Sequence, residues 1–312
     1  MASITLAEAT KYIQDDLAAG VAEDIITMNP LFSVLPYVGY TGDAITVNRE
    51  NALGDAGMYG VGDTITHKAA STVTPAVFTA TKLIGDAEID GLVQAQSVSD
   101  GVNQEAVQIA SKAKTIGRLY QQGMATGNGT GNNMHSFHSL VDSEQFTTAS
   151  IGQVISFELL DELMDLVKAK DGEVDFLMMP ERTIRSYKTL VRALGGVNET
   201  MAFTMPDGTT RNVSVYEGVP IFKNNYLSVA ETANGAALTG GALTSVYAGV
   251  WDDGTRRVGM SGIHPQGVDR GFSVEEVGIS TTKDEKIWRV KQYANFANFN
   301  RRGLARLPSI SN

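Results

Sequence analysis

The chain of 312 residues contains no cysteine, four histidines and two tryptophans. Without cysteine it has no disulfide, no thiol nucleophile and no thiolate metal site, so stability rests on packing and on association. Four histidines leave little material for imidazole chemistry. No apolar run approaches the roughly 20 residues that a membrane helix needs, and Met1-Ala2-Ser3-Ile4-Thr5 lacks the cationic start and apolar block of a signal peptide. The sequence therefore reads as a soluble, cytosolic product. What is present, 43% hydrophobic and 19% charged residues, suits a globular chain with a full core and two modest domains.

Charge is unevenly spread. Lys283 to Arg306 holds seven basic and two acidic residues, a local +5 that leaves −15 for the rest of a chain of net −10. Such an acidic protein does not grip DNA by phosphate neutralisation, which needs concentrated Lys and Arg; enclosing DNA is compatible with it.

The pattern along the chain alternates between helix and strand signals. Thr5-Leu6-Ala7-Glu8 fits a capping box, and Ala9, Ile13, Leu17, Val21 and Ile25 form a narrow apolar stripe that predicts a docking helix from about Leu6. Pro36, Gly39 and Gly42 predict an extended connector. Two β-branched runs, Asp43–Glu50 and Val73–Ile84, flank a glycine-bearing stretch and predict a protruding hairpin that needs a neighbour to lie on. Val102, Ala106, Ile109, Ala113, Ile116, Tyr120 and Met124 predict the longest helix, from Ser99 to about Thr126. A shorter helix follows Ser156, and strand Val174–Met179 leads through Pro180 into a third helix ended by Gly195-Gly196. Asn198–Asn212 and Ala230–Leu243 read as exposed loop tips around strands Val213–Tyr216 and Gly218–Phe222. Strand patterns return at Ser245–Trp251 and Phe272–Ile279. In the final strand Ile287, Arg289, Lys291 and Tyr293 alternate with Trp288, Val290 and Gln292, predicting one wet, mostly cationic face.

Candidate chemical sites are weak. Gly127–Asn133 lacks the Lys-Ser or Lys-Thr of a phosphate cradle and reads as a connector. His135, His138 and Asp142 lack a fourth ligand and read as a solvated loop. Asp15-Asp16, Asp252-Asp253 and Glu275-Glu276 are adjacent in sequence, which puts strand side chains on opposite faces and builds no shared-proton dyad. Arg182, Arg185, Lys188 and Arg192 form a basic stripe, read as a solvated face or as a contact with an acidic subunit or nucleic acid. Both tryptophans read as core.

Several segments in order resemble the major capsid protein family of tailed phages, whose Hong Kong 97 type fold is shared with encapsulin compartments and the herpesvirus capsid floor. They are the arm helix, the hairpin from Thr41 to Gly85, the long helix, and Phe176-Leu177-Met178-Met179-Pro180-Glu181-Arg182-Thr183 with Tyr187 and Leu190. Then come Tyr216-Glu217-Gly218-Val219-Pro220-Ile221-Phe222-Lys223-Asn224-Asn225-Tyr226, Ser245-Val246-Tyr247-Ala248-Gly249, and the close from Arg302 to Leu307.

The resemblance implies an α+β fold with an N-terminal arm (1–40), an extended hairpin loop (41–85), a peripheral domain with a spine helix (86–150), an axial domain (151–250) and closing peripheral strands (251–312). It implies a non-enzymatic structural protein, without cofactor or metal, that self-assembles through hexamers and pentamers into an icosahedral shell around double-stranded DNA. Its implied partners are further copies of itself, portal and scaffold proteins and, in some members, decoration proteins, with the virion capsid assembled in the host bacterial cytoplasm. An encapsulin-type shell is the alternative. Interface candidates are Gly54, Gly57, Met58, Tyr59 and Lys68 at the hairpin tip. The others, Lys283, Asp284, Glu285 and Lys286, lie in a turn expected to approach the threefold contacts. Some members crosslink a loop Lys to a neighbour's Asn; Lys68 lies in the hairpin, but no partner is evident and no crosslink is expected. The Met1 start, with no long helical segment before the arm, implies a separate scaffold or a short uncleaved arm.

Overall fold

The computed structural model of the chain describes residues 31–99, 104–147, 150–168, 172–204, 210–268 and 272–311. The helix expected from about Leu6 lies outside them. After a single-turn helix α1 (Leu31–Val34), the body is organised by the long strand β13 (Glu285–Asn298). Its alternation follows the sequence: Trp288, Val290 and Gln292 are buried, while Ile287, Arg289, Lys291 and Tyr293 stay partly exposed. Two antiparallel partners, β4 (Thr81–Asp90) and β12 (Phe272–Ile279), satisfy its edges. Its far end pairs with β11 (Met260–Pro265), which in turn takes β1 (Tyr37–Tyr40) in parallel. The expected connector at Pro36 to Gly42 is thus mostly a sheet edge, because Tyr37 to Tyr40 find free backbone partners at Gly262 to Pro265.

The helix expected from Ser99 to about Thr126 is described over Gln104–Thr126, and a further helix ends at Ser99. Asp90 starts α2 (Gly91–Ser99), its carboxylate accepting from the Leu92 and Val93 N–H groups at 2.8 and 3.4 Å. The long helix α3 spans Gln104–Thr126 and buries Ile109, Ala113, Ile116, Tyr120 and Met124 against β4 and β13. It stops at Gly127, where an added Cβ would lie 2.2 Å from the Met134 carbonyl oxygen. Only glycine allows that approach.

The second sheet runs β5 (Gln153–Val154), β14 (Leu304–Ser311), β10 (Thr244–Gly249), β6 (Phe176–Met179), β9 (Val219–Lys223), β8 (Thr210–Tyr216) and β7 (Thr200–Thr204). It is mixed, with β6 parallel to β9. The unbroken apolar run of β6 follows from burial on both faces. Phe176 and Met178, with Phe222, Tyr247 and Leu304, face the core shared with β13; Leu177 and Met179, with Ile221, Val246, Ala248 and Leu307, face a second core. Helices α5 (Phe157–Lys168) and α6 (Glu181–Ala193) close that second core with Leu160, Leu163, Met164, Ile184, Tyr187 and Val191. Each fully buried side chain of this kind is worth about 1.5–3 kcal/mol relative to exposure. The Ser156 hydroxyl accepts from the Leu159 N–H at 3.3 Å, and Pro180 starts α6 as expected.

Two expected loop tips carry regular structure among their described residues. Of Asn198–Asn212, the described residues include β7 and the start of β8, which pair from Thr200↔Ser214 to Thr204↔Thr210. Ala230–Leu243 carries a short 3-10 turn, Ala233–Gly235, and is closed by a bridge between Glu231 and Leu243. Strand β14 lies beside β10, not in the β13 sheet.

A third, two-stranded sheet pairs β2 (Ile45–Ala52) with β3 (Thr72–Phe78). The run expected as one strand from Val73 to Ile84 divides at Thr79-Ala80. There the Asn295 amide donates to the Thr79 carbonyl at 2.7 Å, and the chain passes from the hairpin into β4.

Candidate assembly surfaces

The β2–β3 hairpin is anchored at its base and free along its length. Ile45 and Phe78 are 6% and 4% exposed, and the Phe78 ring meets those of Phe299 and His135 at 6.5 and 5.6 Å. Arg49 lies over the Phe78 ring at 5.5 Å and donates to the Asn298 carbonyl. Beyond this base every residue from Asn51 to Val73 is exposed, including Leu53, Met58, Val61 and Ile65.

The tip is nonetheless organised. The Tyr59 hydroxyl oxygen accepts from the Thr66 and His67 backbone N–H groups at 2.9 and 2.8 Å and lies 2.6 Å from His67 Nδ1. Its hydrogen bond with the Thr66 side chain, and then that from the His67 backbone, lower its pKa below the ordinary tyrosine value. Gly57 lets the His67 ring close over the chain, since a Cβ there would sit 2.5 Å from Nδ1. Gly54 lies where a Cβ would approach the Ala69 carbonyl oxygen at 3.1 Å. Met58 and Lys68 point into solvent.

The four charged residues of the 281–286 turn divide into two kinds. Lys283 and Asp284 are exposed, Lys283 lying 3.4 Å from Glu285. Lys286 is turned inward: its Nζ is 3.3 Å from both Glu105 and Glu276 and 4.8 Å from the centre of the Trp288 ring. It ties the turn to the start of α3.

The cationic face of β13 is matched from both flanks. Arg289 donates twice to Asp86 on β4, at 2.8 and 2.7 Å, and Lys291 pairs with Glu275 on β12. The Arg289 hydrogen bond holds the Asp86 carboxyl below the usual carboxylate range.

Sequence reasoning missed two charged clusters. At the hairpin base a cleft of about 750 Å³ is lined by Arg49, Asp142, Arg257, Arg301 and Arg302, with Arg301 gripping Asp142 through two 2.8 Å hydrogen bonds. Beneath the second sheet Arg306 and Glu231, 2% and 1% exposed, form a 2.8 Å ion pair. Ser245 donates to Glu231 and accepts from Arg306 Nε at 2.9 Å. The signal was available in outline: an arginine in the otherwise apolar Leu304-Ala305-Arg306-Leu307 must find a counter-charge.

His135, His138 and Asp142 do not lie in a solvated loop. Ser136 forms a capping box for α4 (Phe137–Leu140), and both histidines are partly buried. Burial, then the Arg306 charge, lowers the His138 pKa to about 4. Trp288 is core, whereas Trp251 is half-buried and stacks on Phe176 at 4.0 Å. Among the described residues, no group of three or more His, Asp or Glu side chains could hold a metal ion.

The sequence matches no family model and no curated protein. Solved structures match throughout. The SrpI encapsulin of Synechococcus elongatus PCC 7942 is similar with a TM-score of 0.67 at 15% identity, over 90% of this chain and 87% of that one. The capsid of cyanophage A-1(L) gives 0.67 at 9% identity, over 91% and 93%. The virus-like particle of Pyrococcus furiosus gives 0.55 at 10%, over 95% and 99%. With its long helix on the β13 sheet, its helix-covered second sheet and its projecting hairpin, the chain has the Hong Kong 97 type capsid fold.

Proposed function

We propose that this chain is the structural subunit of an icosahedral shell, assembling through hexamers and pentamers around the double-stranded DNA of a tailed phage. The hairpin β2–β3 is the observation that carries this. An isolated two-stranded ribbon is at best marginally stable in water, yet this one projects with Val73, Val77, Leu53, Met58, Val61 and Ile65 exposed. A symmetric array of identical subunits supplies each ribbon with a neighbour to lie on. In this role residues 1–40 act as the arm and 41–85 as the clamp, with Gly54, Gly57, Met58, Tyr59 and Lys68 at the contact. The axial part spans 151–250 together with Leu304–Ser311, and the peripheral part takes the rest. The turn at Lys283, Asp284 and Glu285 meets neighbouring capsomers.

The net charge of −10 suits a container that encloses DNA without gripping it. Portal and scaffold proteins are the expected partners, in a shell assembled in the bacterial cytoplasm. An encapsulin-type compartment uses the same fold around a protein cargo. Electron microscopy of the purified protein, with analysis of nuclease-protected contents, tests both. Closed shells holding double-stranded DNA are expected; shells filled with protein point to the compartment, and a monomer at all concentrations and salt conditions overturns the shell.

A further inference from the structure

The two helices that cover the second core carry opposite charge. Helix α5 presents Glu158, Asp161, Glu162 and Asp165 against a single Lys168, whereas α6 presents Arg182, Arg185, Lys188 and Arg192 against a single Glu181. Both turn their apolar sides into the same core, so both charged sides face outward. Helices packed on one sheet face could have exchanged ion pairs. Among the described residues, Glu158, Glu162 and Asp165 make none with Arg185, Lys188 or Arg192. Lys168 pairs with Glu217 and Glu181 with Lys223, both off the two helices. Glu158, Glu162 and Asp165 on one helix, and Arg185, Lys188 and Arg192 on the other, make no ion pair within the described chain.

The two unpaired stripes match in length. Glu158, Glu162 and Asp165 lie at i, i+4 and i+7, and Arg185, Lys188 and Arg192 at i, i+3 and i+7; each stripe runs about 10 Å along its helix. Beside the basic stripe, a shallow cleft of about 570 Å³ is lined by Val154, Ile155, Leu190 and Ala193 together with Arg185. Leu194 and Val197 stay exposed just beyond the helix. A phosphate backbone would satisfy the cations and leave this apolar border wet. A protein surface covers both.

Building on the shell reading, we propose that α5 of one subunit docks on α6 of the next around each capsomer, a head-to-tail contact between different surfaces of identical chains. Such a contact closes into rings when the rotation closes, and complementary charge fixes its register and speeds encounter. Like charges brought face to face in the same geometry oppose it.

The test uses the full-length protein and two triple variants: Arg185→Glu/Lys188→Glu/Arg192→Glu, acidic on both helices, and Glu158→Lys/Glu162→Lys/Asp165→Lys, basic on both. Asp161 is left alone because it accepts from the Tyr216 hydroxyl at 2.5 Å. Circular dichroism checks that each variant folds. Should a reversal fail to fold, the neutral variant Arg185→Gln/Lys188→Gln/Arg192→Gln replaces it and is expected to weaken ring formation in the same direction.

Each reversed variant alone is expected to need at least about tenfold more protein than wild type to form rings at low salt, with partial recovery as salt screens the repulsion. A chain carrying both reversals recovers assembly. Mixing the two single-helix variants gives the sharpest outcome. Attraction then requires strict alternation around the ring, so native mass spectrometry or microscopy should find rings of six and no rings of five. Reversed variants that assemble like wild type overturn the inference, and so does normal assembly with loss of retained nucleic acid, which would turn the cations toward a polyanion. If wild type forms no rings, the shell reading itself fails.

Discussion

Replacing Glu231 with Gln should cost this protein more than any surface change of the same size. The substitution keeps the shape and removes the charge, leaving Arg306, 2% exposed, without its counter-ion at 2.8 Å. At an effective dielectric of 20, the lost attraction at that separation is about 6 kcal/mol. Breaking one side of a buried pair is measured at about 3–5 kcal/mol. The retained hydrogen bond from Arg306 Nε to Ser245 argues for the lower half of that range. At roughly 2–4 °C per kcal/mol for a chain of this order, the melting temperature should fall by about 6–16 °C. Urea unfolding followed by circular dichroism reads the free energy directly. The double substitution Glu231→Leu/Arg306→Met should be nearly neutral, because it removes both charges together. A loss below about 1 kcal/mol for the single variant, or a double variant as unstable as the single, would refute the reasoning.

Three further outcomes are expected. Deleting Asp55 to Thr64, all exposed, should leave the thermal melt of the subunit unchanged and abolish shells in sedimentation; normal shells would remove the hairpin from the clamp. Lys283→Glu should reduce shell yield at low salt without changing subunit stability, while Lys286→Glu, placed between Glu105 and Glu276, should destabilise the folded subunit itself. Equal yields for Lys283→Glu and wild type at every salt concentration would return the turn to solvent. Acid unfolding should be shallower in Asp86→Asn, because the depressed Asp86 carboxyl stabilises the fold fully above the ordinary value near 3.9 and loses that contribution as pH falls through its lower folded value; superimposable acid titrations would show that its pair with Arg289 carries no linkage.

The sequence was most legible where a periodicity had one physical cause. The two faces of β13 and the buried row Ile109, Ala113, Ile116, Tyr120 and Met124 could be read residue by residue, because one-sided burial imposes its spacing on the chain. It was least legible where distant partners decide the outcome. Tyr37 to Tyr40 becomes a strand only because Gly262 to Pro265 lies alongside. Asn295 ends the hairpin at Thr79 from 216 residues away. Glu231 gains its meaning from Arg306, 75 residues downstream. Among the interface candidates, the tip residues are exposed, and the four charges at 283–286 could not be sorted from sequence into outward and inward members. Lys286 is drawn inward by carboxylates on α3 and β12.

Charge in this molecule falls into two populations, and their difference bears on assembly. On β13 the cations are matched inside the subunit, strand by strand, by Asp86 and Glu275. They stitch the sheet and are not offered to a partner. Among the described residues, Glu158, Glu162 and Asp165 on α5 do not pair with Arg185, Lys188 and Arg192 on α6, although the helices share a core through Phe157 and Tyr187, whose rings meet at 6.1 Å. Exposed ion pairs contribute little to a single subunit, about 0–1 kcal/mol each, so leaving these unmade costs the fold almost nothing. In a closed array the same small term recurs at every repeated contact and becomes a condition on assembly. In the contact proposed above, the helices bordering the second core carry the charge that acts between subunits, and the second sheet carries both helices.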